Sequence, residues 1–276
     1  MRAMSEARRV VLITGASSGI GRACADRLAG AKFAVYGTSR DPDRLEPDSI
    51  DWVPVRMDVT DTRSVGEGVE AILRSCGTID VLINNAGVGL AGAIEETSVE
   101  EALALLQTDF LGVLRTCRAV LPSMRARRVG VIVNVSSLAG RIGLPFQGLY
   151  SAAKFAVEGL SEALRLELRP FGVRVVLVEP GDICTPFTEH RRFVCSESES
   201  PYVERMARVI RRAEDDERAG PDPEIVARLV ARIVGARAPR ARYTVGPAFQ
   251  RIAGQLKALL PDGLFELFLA TYYRLR

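Results

Sequence analysis

Tyr150 and Lys154, in the stretch "LYSAAKFAVEGLSEALRLEL", are the first residues whose types and spacing suggest chemistry. Positions i and i+4 of a helix lie one turn apart on the same face, so the phenol and the ammonium point the same way. A free phenol has a pKa of about 10 and exchanges a proton poorly near neutral pH. A neighbouring cation favours the phenolate and lowers that pKa. The pair could transfer protons, but the same spacing also occurs by accident on solvated helix faces.

A glycine-rich turn near the N-terminus could place a ligand beside such a pair. The segment "VVLITGASSGIGRACADRL" reads as strand, turn and helix, and Gly15, Gly19 and Gly21 let the backbone turn tightly and approach a ligand closely. The first amides of the helix then offer unpaired donors and a positive dipole end to a pyrophosphate. Because the glycines follow a strand and open a helix, they predict a dinucleotide site.

The end of the second predicted strand, "VYGTSRDPDR", indicates which dinucleotide is bound. An NAD site usually has an acidic residue here that bonds the adenosine ribose. This chain has Ser39 and Arg40 instead, and a guanidinium can pair with the extra phosphate of NADP. Asp41 follows and could point into the site, so the pattern favours NADP(H) over NAD(H) without excluding NAD(H).

Short β-branched runs alternate with segments of helical length along most of the chain. The runs are "RVVLIT", "FAVYGT", "VPVRM", "DVLIN", "GVIVNVS" and "VRVVLVEP", with "ARYTVG" as a seventh. Their consecutive apolar residues are typical of strands covered on both faces. The helical segments include "SVGEGVEAILRSC", "VEEALALLQTDFLGVLRTCRAVLPSM" and the one that begins at Tyr150. This alternation predicts an α/β, doubly wound Rossmann-type fold with a roughly seven-stranded parallel sheet and helices on both faces.

The composition predicts a single soluble domain over residues 1–276. The chain is 47% hydrophobic, and its 37 basic and 34 acidic residues show no basic stripe of the kind that binds nucleic acid. Its five cysteines are scattered without C-x-x-C pairs, which indicates reduced thiols and no zinc or other metal site. The first apolar run, Val10 to Ile13, is far too short for a signal peptide or membrane span. We therefore expect a cytoplasmic protein.

Two segments do not match the alternating pattern. Residues 185–222 are charged, contain a helix-like patch from Val203 to Ala213 and follow the sixth strand, where open α/β sheets bind ligands. They predict a substrate lid, with an ordinary surface insertion as the alternative. Residues 247–276 form an apolar helical tail that could rest on a membrane. Packing on its own domain, closing a pocket or meeting another subunit is favoured. His190 is interpreted as a solvated loop residue.

Six motifs occur together, in an order and spacing that resemble the short-chain dehydrogenase/reductase family. They are "TGASSGIG" at 14–21, "DVT" at 58–60, "NNAG" at 84–87, "NVSS" at 134–137, "YSAAK" at 150–154 and "PGDICT" at 180–185. They span about the first two-thirds of the chain. The predicted lid, the apolar tail and "GTSRD" after the second strand add to these motifs. With them, the chain looks most similar to hydroxysteroid and retinol dehydrogenases.

This resemblance implies roles for individual residues. Ser137, thirteen residues before Tyr150, would bond the substrate oxygen, and Lys154 would assist Tyr150 and bond the nicotinamide ribose. Asp58 and Val59 would hold the adenine, and residues 180–185 would hold the nicotinamide carboxamide. The implied cofactor site comprises Gly15, Ser17, Ser18, Gly19, Ile20, Gly21, Ser39, Arg40, Asp58, Val59, Asn85, Ala86, Gly87, Tyr150, Lys154, Pro180, Gly181, Ile183 and Thr185.

Asp109 departs from the family pattern, which has an asparagine before the "VLP" segment. The backbone carbonyl survives this change, but a carboxylate cannot donate the hydrogen bonds of an amide. An ionised Asp109 would also favour a protonated Lys154. We carry Asp109 as a fourth candidate catalytic residue and expect the enzyme to tolerate it.

These observations predict an NADP(H)-dependent oxidoreductase that interconverts a ketone or aldehyde and an alcohol, with Tyr150 as the acid/base. The substrate is expected to be a lipophilic small molecule, such as a steroid or a retinoid. One alternative is a 3-oxoacyl-type ketoreductase, and another is a catalytically silent NADP(H)-binding sensor or scaffold. The resemblance also implies a homodimer or homotetramer.

Overall fold

The computed structural model describes residues 8–31, 33–45, 49–194 and 200–275. Seven parallel strands form the central sheet, in the order β3-β2-β1-β4-β6-β7-β9, and a separate pair is formed by β5 and β8. The strands are β1 (Arg9–Ile13), β2 (Phe33–Ser39), β3 (Val53–Arg56), β4 (Val81–Asn84), β5 (Leu90–Ala91), β6 (Gly130–Val135), β7 (Val173–Pro180), β8 (Arg192–Phe193) and β9 (Arg242–Val245). The prediction of a seven-stranded parallel sheet is confirmed.

Helices cover both faces of this sheet. They are α1 (Gly19–Ala29), α2 (Thr62–Cys76), α3 (Val99–Asp109), α4 (Leu111–Arg127), α5 (Gly148–Leu168), α6 (Val203–Arg218), α7 (Glu224–Gly235), α8 (Ala248–Leu259) and α9 (Asp262–Tyr272). Alternate residues of β1 show the two layers. Val11 and Ile13 pack in the core that contains residues of α1 and α7, and Val10 and Leu12 pack in the core that contains residues of α2, α4 and α5.

The segment predicted as one long helical stretch over 99–124 consists of two helices. α3 ends at Asp109, and α4 begins at Leu111 after Phe110, whose φ of −118° and ψ of −58° interrupt the helix. The apolar periodicity continues through both helices, so the sequence pattern did not show the break. The side chain of Asp109, at the end of α3, is completely buried.

The segments outside the alternating pattern lie at the carboxyl edge of the sheet. In the predicted lid, Arg192 and Phe193 pair with Leu90 and Ala91, a contact that the sequence did not predict, and α6 covers the helix-like patch. Most of the "SESES" run lies at residues 195–199, outside the described residues. Within the described part of the chain, no helix is long and apolar enough to cross a membrane.

Candidate active site

The carboxyl ends of the parallel strands open into a cleft of about 750 Å³. This edge includes the boundary between β1 and β4, where the strand order reverses and open α/β sheets bind their ligands. Of the residues that the sequence predicted for the site, all line the cleft except Gly21 and Asp109. These two lie directly behind its wall, where they contact residues that line it.

The glycine turn has the backbone that a close ligand approach needs. Gly15 and Gly19 have φ values of 65° and 56°, a region that side chains strongly disfavour. A Cβ on Gly21 would lie 2.1 Å from the carbonyl oxygen of Gly15 and 2.4 Å from Nδ2 of Asn85. The residue preceding α1, Ser18, does not cap the helix with its side chain, and the first turn contains no acidic residue. The amides of this turn can therefore receive a pyrophosphate.

We expect Gly21→Ala to impair dinucleotide binding, because the added methyl would meet the backbone of Gly15 rather than a flexible side chain. Overpacking of this kind costs about 1–3 kcal/mol, so we expect NADPH affinity, measured by fluorescence titration, to fall by about tenfold or more. Gly66→Ala, on α2 with open space around it, is the control and should leave affinity unchanged. Equal affinity in the two variants would contradict this account of the turn.

Thr14 and Asn85 connect the glycine turn to the next strand of the sheet. The hydroxyl oxygen of Thr14 accepts hydrogen bonds from the backbone N–H groups of Asn85 (3.0 Å) and Ala86 (3.1 Å). In return, Nδ2 of Asn85 donates to the carbonyl oxygens of Thr14 (3.1 Å) and Gly15 (3.0 Å). These bonds hold the "NNAG" segment against the glycine turn.

The far end of the cleft, beyond β2, is lined by two guanidinium groups and two carboxylates. Arg40 is exposed at the cleft wall, and its guanidinium has no ion-pair partner among the described residues. Asp41 also lines the cleft, but its carboxylate pairs with Arg44 at 2.7 Å. Asp58 accepts hydrogen bonds from both the amide (2.9 Å) and the hydroxyl (2.8 Å) of Thr60. The formal charges of these four groups therefore balance, and Arg40 is left without an ion-pair partner among the described residues.

Ser137, Tyr150 and Lys154 meet at the other end of the cleft. Ser137 follows β6, and its Oγ accepts a hydrogen bond of 3.1 Å from the N–H of Ala139. Tyr150 and Lys154 lie one turn apart near the start of α5, with Nζ 5.5 Å from the centre of the phenol ring. Phe187, from the predicted lid, packs on Tyr150 with a ring-centre distance of 5.7 Å. The predicted trio is thus assembled in the same cleft as the glycine turn.

Asp109 forms a buried ion pair with Lys154. Its Oδ2 lies 3.1 Å from Nζ of Lys154, and its Oδ1 accepts a hydrogen bond of 2.8 Å from the N–H of Val88. The side chains of Asp109 and Lys154 are 0% and 6% exposed. Burial lowers the pKa of Lys154, but the carboxylate of Asp109 more than offsets this and raises that pKa above its ordinary value. Lys154 is therefore held as a cation from behind the cleft wall.

Residues 9–193 match the family model of short chain dehydrogenases, which is more than half of the chain. The chain belongs to the short-chain dehydrogenase/reductase family. It is 43% identical over 273 residues to 3-ketodihydrosphingosine reductase of Bacteroides thetaiotaomicron, a match that covers 97% of this chain and 99% of that protein. It is 34% identical to retinol dehydrogenase 8 of Bos taurus, over 94% of this chain and 88% of that protein. The protein is thus an oxidoreductase with a nucleotide-binding fold.

Solved structures of short-chain dehydrogenases have the same fold. One from Streptomyces avermitilis superposes with a TM-score of 0.82 at 34% identity and covers 93% of this chain and 94% of its own. An alcohol dehydrogenase from Thermococcus sibiricus, at 26% identity and a TM-score of 0.71 over 88% of this chain and 98% of its own, was solved with 5-hydroxy-NADP. A short-chain dehydrogenase/reductase from Burkholderia phymatum was solved with NAD. It is 27% identical, with a TM-score of 0.77, and the match covers 94% of each chain. Structures of this family therefore contain either dinucleotide.

Opposing effects act on the pKa of Tyr150. The sequence predicted that Lys154 would lower this pKa, and Lys154 does act in that direction. Burial raises this pKa, and the carboxylates of Asp109 and Glu217 add to the rise. Lys154 and a hydrogen bond from Ser137 oppose it only in part, so the pKa of Tyr150 lies above its ordinary value. A phenol whose pKa lies above its ordinary value holds its proton near neutral pH and can donate it as an acid.

A buried polar chain beneath the family's catalytic residues was not predicted from the sequence. Thr116 donates to Oδ1 of Asn84 (2.6 Å), whose Nδ2 donates to Oδ1 of Asn134 (2.8 Å). Nδ2 of Asn134 in turn donates to Ser161 (2.8 Å) on α5. The chain links α4, β4, β6 and α5, so it fixes the strand that precedes Ser137 against the helix of Tyr150. Asn84 and Asn134 are the first residues of the "NNAG" and "NVSS" motifs, so these motifs were the sequence signal that could have indicated the buried chain.

Residues of the predicted lid and of the tail also line the cleft. Phe187 and Glu217 come from the predicted lid, and Gln250 and Tyr273 come from the tail. Gln250 accepts a hydrogen bond of 2.8 Å from the N–H of Asp182, and burial raises the pKa of the Asp182 carboxyl to about 6. Asp182 lies within "PGDICT", whereas Phe187, Glu217, Gln250 and Tyr273 belong to no quoted motif. His190 also lines the cleft and is exposed, in agreement with its interpretation as a solvated residue.

Proposed function

We propose that this protein is an NADP(H)-dependent reductase of lipophilic ketones in which Tyr150 donates the proton. The observation that carries the proposal is the convergence of Ser137, Tyr150 and Lys154 at one end of a cleft whose other end is formed by the glycine turn and Arg40. A dinucleotide that lies along the cleft would reach both ends. NADPH, when bound, supplies the hydride, and the protein supplies orientation and electrostatics.

In this proposal the substrate carbonyl oxygen lies between Ser137 and Tyr150. Ser137 donates a hydrogen bond to that oxygen and stabilises the negative charge that develops as hydride reaches the carbonyl carbon. Tyr150 gives its phenolic proton to the same oxygen, which yields a neutral alcohol and a phenolate. Lys154 stabilises that phenolate and bonds the nicotinamide ribose. Oxidation of the alcohol would use the same steps in reverse.

The preference for NADP(H) is supported by the charges at the end of β2. Arg40 is free to pair with a phosphate on the adenosine ribose, as guanidinium groups readily do. Asp41, the residue that could instead favour NAD(H), is neutralised by Arg44 at 2.7 Å. The ribose of NAD(H) would meet no free carboxylate from Asp41 at this position.

The substrate class is supported by the wall that faces Tyr150 and by the relatives. Leu138, Leu144 and Phe187 line this part of the cleft, and α9 packs over Ile142 through Phe265. A reductase named for 3-ketodihydrosphingosine is 43% identical over 97% of the chain. We therefore place a ketone on a long apolar chain first, ahead of the steroid and retinoid substrates that the sequence suggested. Residues 185–222 would act as the lid over it.

Purified enzyme and NADPH, followed by absorbance with a panel of carbonyl compounds, test this proposal. The panel contains 3-ketodihydrosphingosine, a ketosteroid, retinal, a 3-oxoacyl thioester and a short ketone. We expect turnover on a lipophilic ketone and the highest kcat/KM for the long-chain compound. Turnover only on the thioester would favour the 3-oxoacyl ketoreductase. Tight NADPH binding with no turnover on any carbonyl would favour the silent sensor or scaffold and would contradict the proposal.

Three further properties belong to the same proposal. We place the enzyme in the cytoplasm, as a homodimer or homotetramer, with a small-molecule substrate rather than a nucleic acid. Ala253 of α8 and Phe265 of α9 pack on Ile142, which supports a tail that closes the pocket. Other large apolar side chains of the tail, among them Phe249, Ile252, Leu259 and Phe268, are exposed.

A further inference from the structure

The carboxylate of Asp109 lies behind Lys154 rather than in the cleft itself. Asp109 ends α3, Val88 follows the "NNAG" segment, and Lys154 belongs to α5, so the carboxylate joins three separate parts of the cleft wall. A Cβ on Gly87 would lie 3.1 Å from Oδ2 of Asp109 and 3.4 Å from Nζ of Lys154. The ion pair therefore lies immediately beneath the cleft surface, and only the absence of a side chain at Gly87 leaves room for it.

We propose that Asp109 is a positioning residue that anchors the Lys154 ammonium in the wall and shares its charge, so that proton donation by Tyr150 continues to higher pH than an amide at this position would allow. This inference rests on the proposed function and deepens it. An asparagine could accept the hydrogen bond from Val88 but would add no charge. The aspartate is thus a functional feature of this chain rather than a tolerated defect.

The charges around Tyr150 determine whether loss of the Asp109 carboxylate makes the phenol ionise at lower or at higher pH. The groups that face it are Lys154 on the same helix, Asp109 at the end of α3, Ser137 after β6 and Glu217 on α6. Lys154 is the one cation among them, and Asp109 lies on its far side. The Asp109 carboxylate offsets part of the ammonium's influence on the phenol, because opposite charges at 3.1 Å attract strongly where water is excluded. Burial raises the pKa of the Asp109 carboxyl, and Lys154 and the N–H of Val88 oppose that rise. Removing that anion leaves the phenolate as the nearest partner of Lys154.

The experiment compares Asp109→Asn with the wild type over a pH series, with saturating NADPH and a ketone as the varied substrate. For reduction, kcat/KM falls at high pH as Tyr150 loses its proton, and we expect this fall to begin about one pH unit lower in the variant. The reverse reaction, with NADP and the alcohol, rises with pH as the phenolate forms, and its rise should move to lower pH by the same amount. Glu100→Gln, which removes an exposed carboxylate on the same helix, should leave both curves in place.

A purely structural role would have a different signature. A loosened site lowers kcat/KM at every pH and leaves the position of the curve unchanged, and that result would overturn the proposal. A shift to higher pH would also overturn it, since it would mean that Lys154 has lost its proton in the variant. Thermal melting and NADPH affinity of Asp109→Asn establish that the variant is folded. No turnover by the wild type on any carbonyl overturns both the inference and the proposed function, whereas normal wild-type turnover with an unmoved curve overturns the inference alone.

Discussion

Tyr150→Phe is expected to lower kcat/KM for ketone reduction by about 10³-fold, within the range of 10²–10⁴ that a positioned general acid contributes. The change removes the proton that the carbonyl oxygen needs and leaves the ring, which packs on Phe187 at 5.7 Å, in place. NADPH affinity should change little, because the glycine turn and the end of β2 are untouched. Steady-state kinetics together with a fluorescence titration of NADPH measure the two effects separately.

Tyr36→Phe is the matched control for this loss of a hydroxyl. The hydroxyl of Tyr36 lies 2.9 Å from Sγ of Cys76, between β2 and α2, and Tyr36 does not line the cleft. Its removal should leave turnover within about twofold of the wild type, as expected for a change far from the chemistry. If Tyr150→Phe and Tyr36→Phe behaved alike, the assignment of Tyr150 as the acid would be wrong.

Arg40→Asp is expected to lower the affinity for NADPH by about 10²-fold and to reverse the cofactor preference toward NADH. A charged hydrogen bond contributes about 1.5–3 kcal/mol, and the introduced carboxylate would repel the ribose phosphate while accepting hydrogen bonds from the ribose hydroxyls of NADH. The ratio of kcat/KM for NADPH to that for NADH measures the change. Arg40 lies at the opposite end of the cleft from Tyr150, so kcat at saturating cofactor should remain close to the wild-type value.

A charge reversal elsewhere separates this local effect from the overall charge of the protein. Arg74 lies on α2, and its side chain is 71% exposed. Arg74→Asp changes the net charge of the protein by the same two units as Arg40→Asp. It should leave the cofactor ratio unaltered, because charges in water are screened within about 10 Å at moderate salt. An unchanged ratio in Arg40→Asp would contradict the preference for NADP(H) and restore NAD(H) as an equal candidate.

The fold and much of the site could be predicted from short local patterns. Each apolar run that was read as a strand is a strand of the sheet, and the turn at Gly15 and Gly19 has the positive φ values that its glycines allow. These features depend on residues close together in the chain, where backbone sterics and hydrophobic periodicity act directly. The break at Phe110 was missed because the same periodicity continues on both sides of it.

The sequence by itself determined the doubly wound sheet, the glycine turn, the spacing of Tyr150 and Lys154, and the family. Only the tertiary structure decided that Asp109 reaches Lys154, forty-five residues away in the chain, and that burial raises the pKa of Tyr150 despite its cationic neighbour. Only the tertiary structure, too, placed Gln250 and Tyr273 in the wall of the cleft. Charge–charge interaction and desolvation depend on distances through space and on the exclusion of water, and the place of the tail depends on packing between segments distant in the chain. None of these is encoded in local spacing.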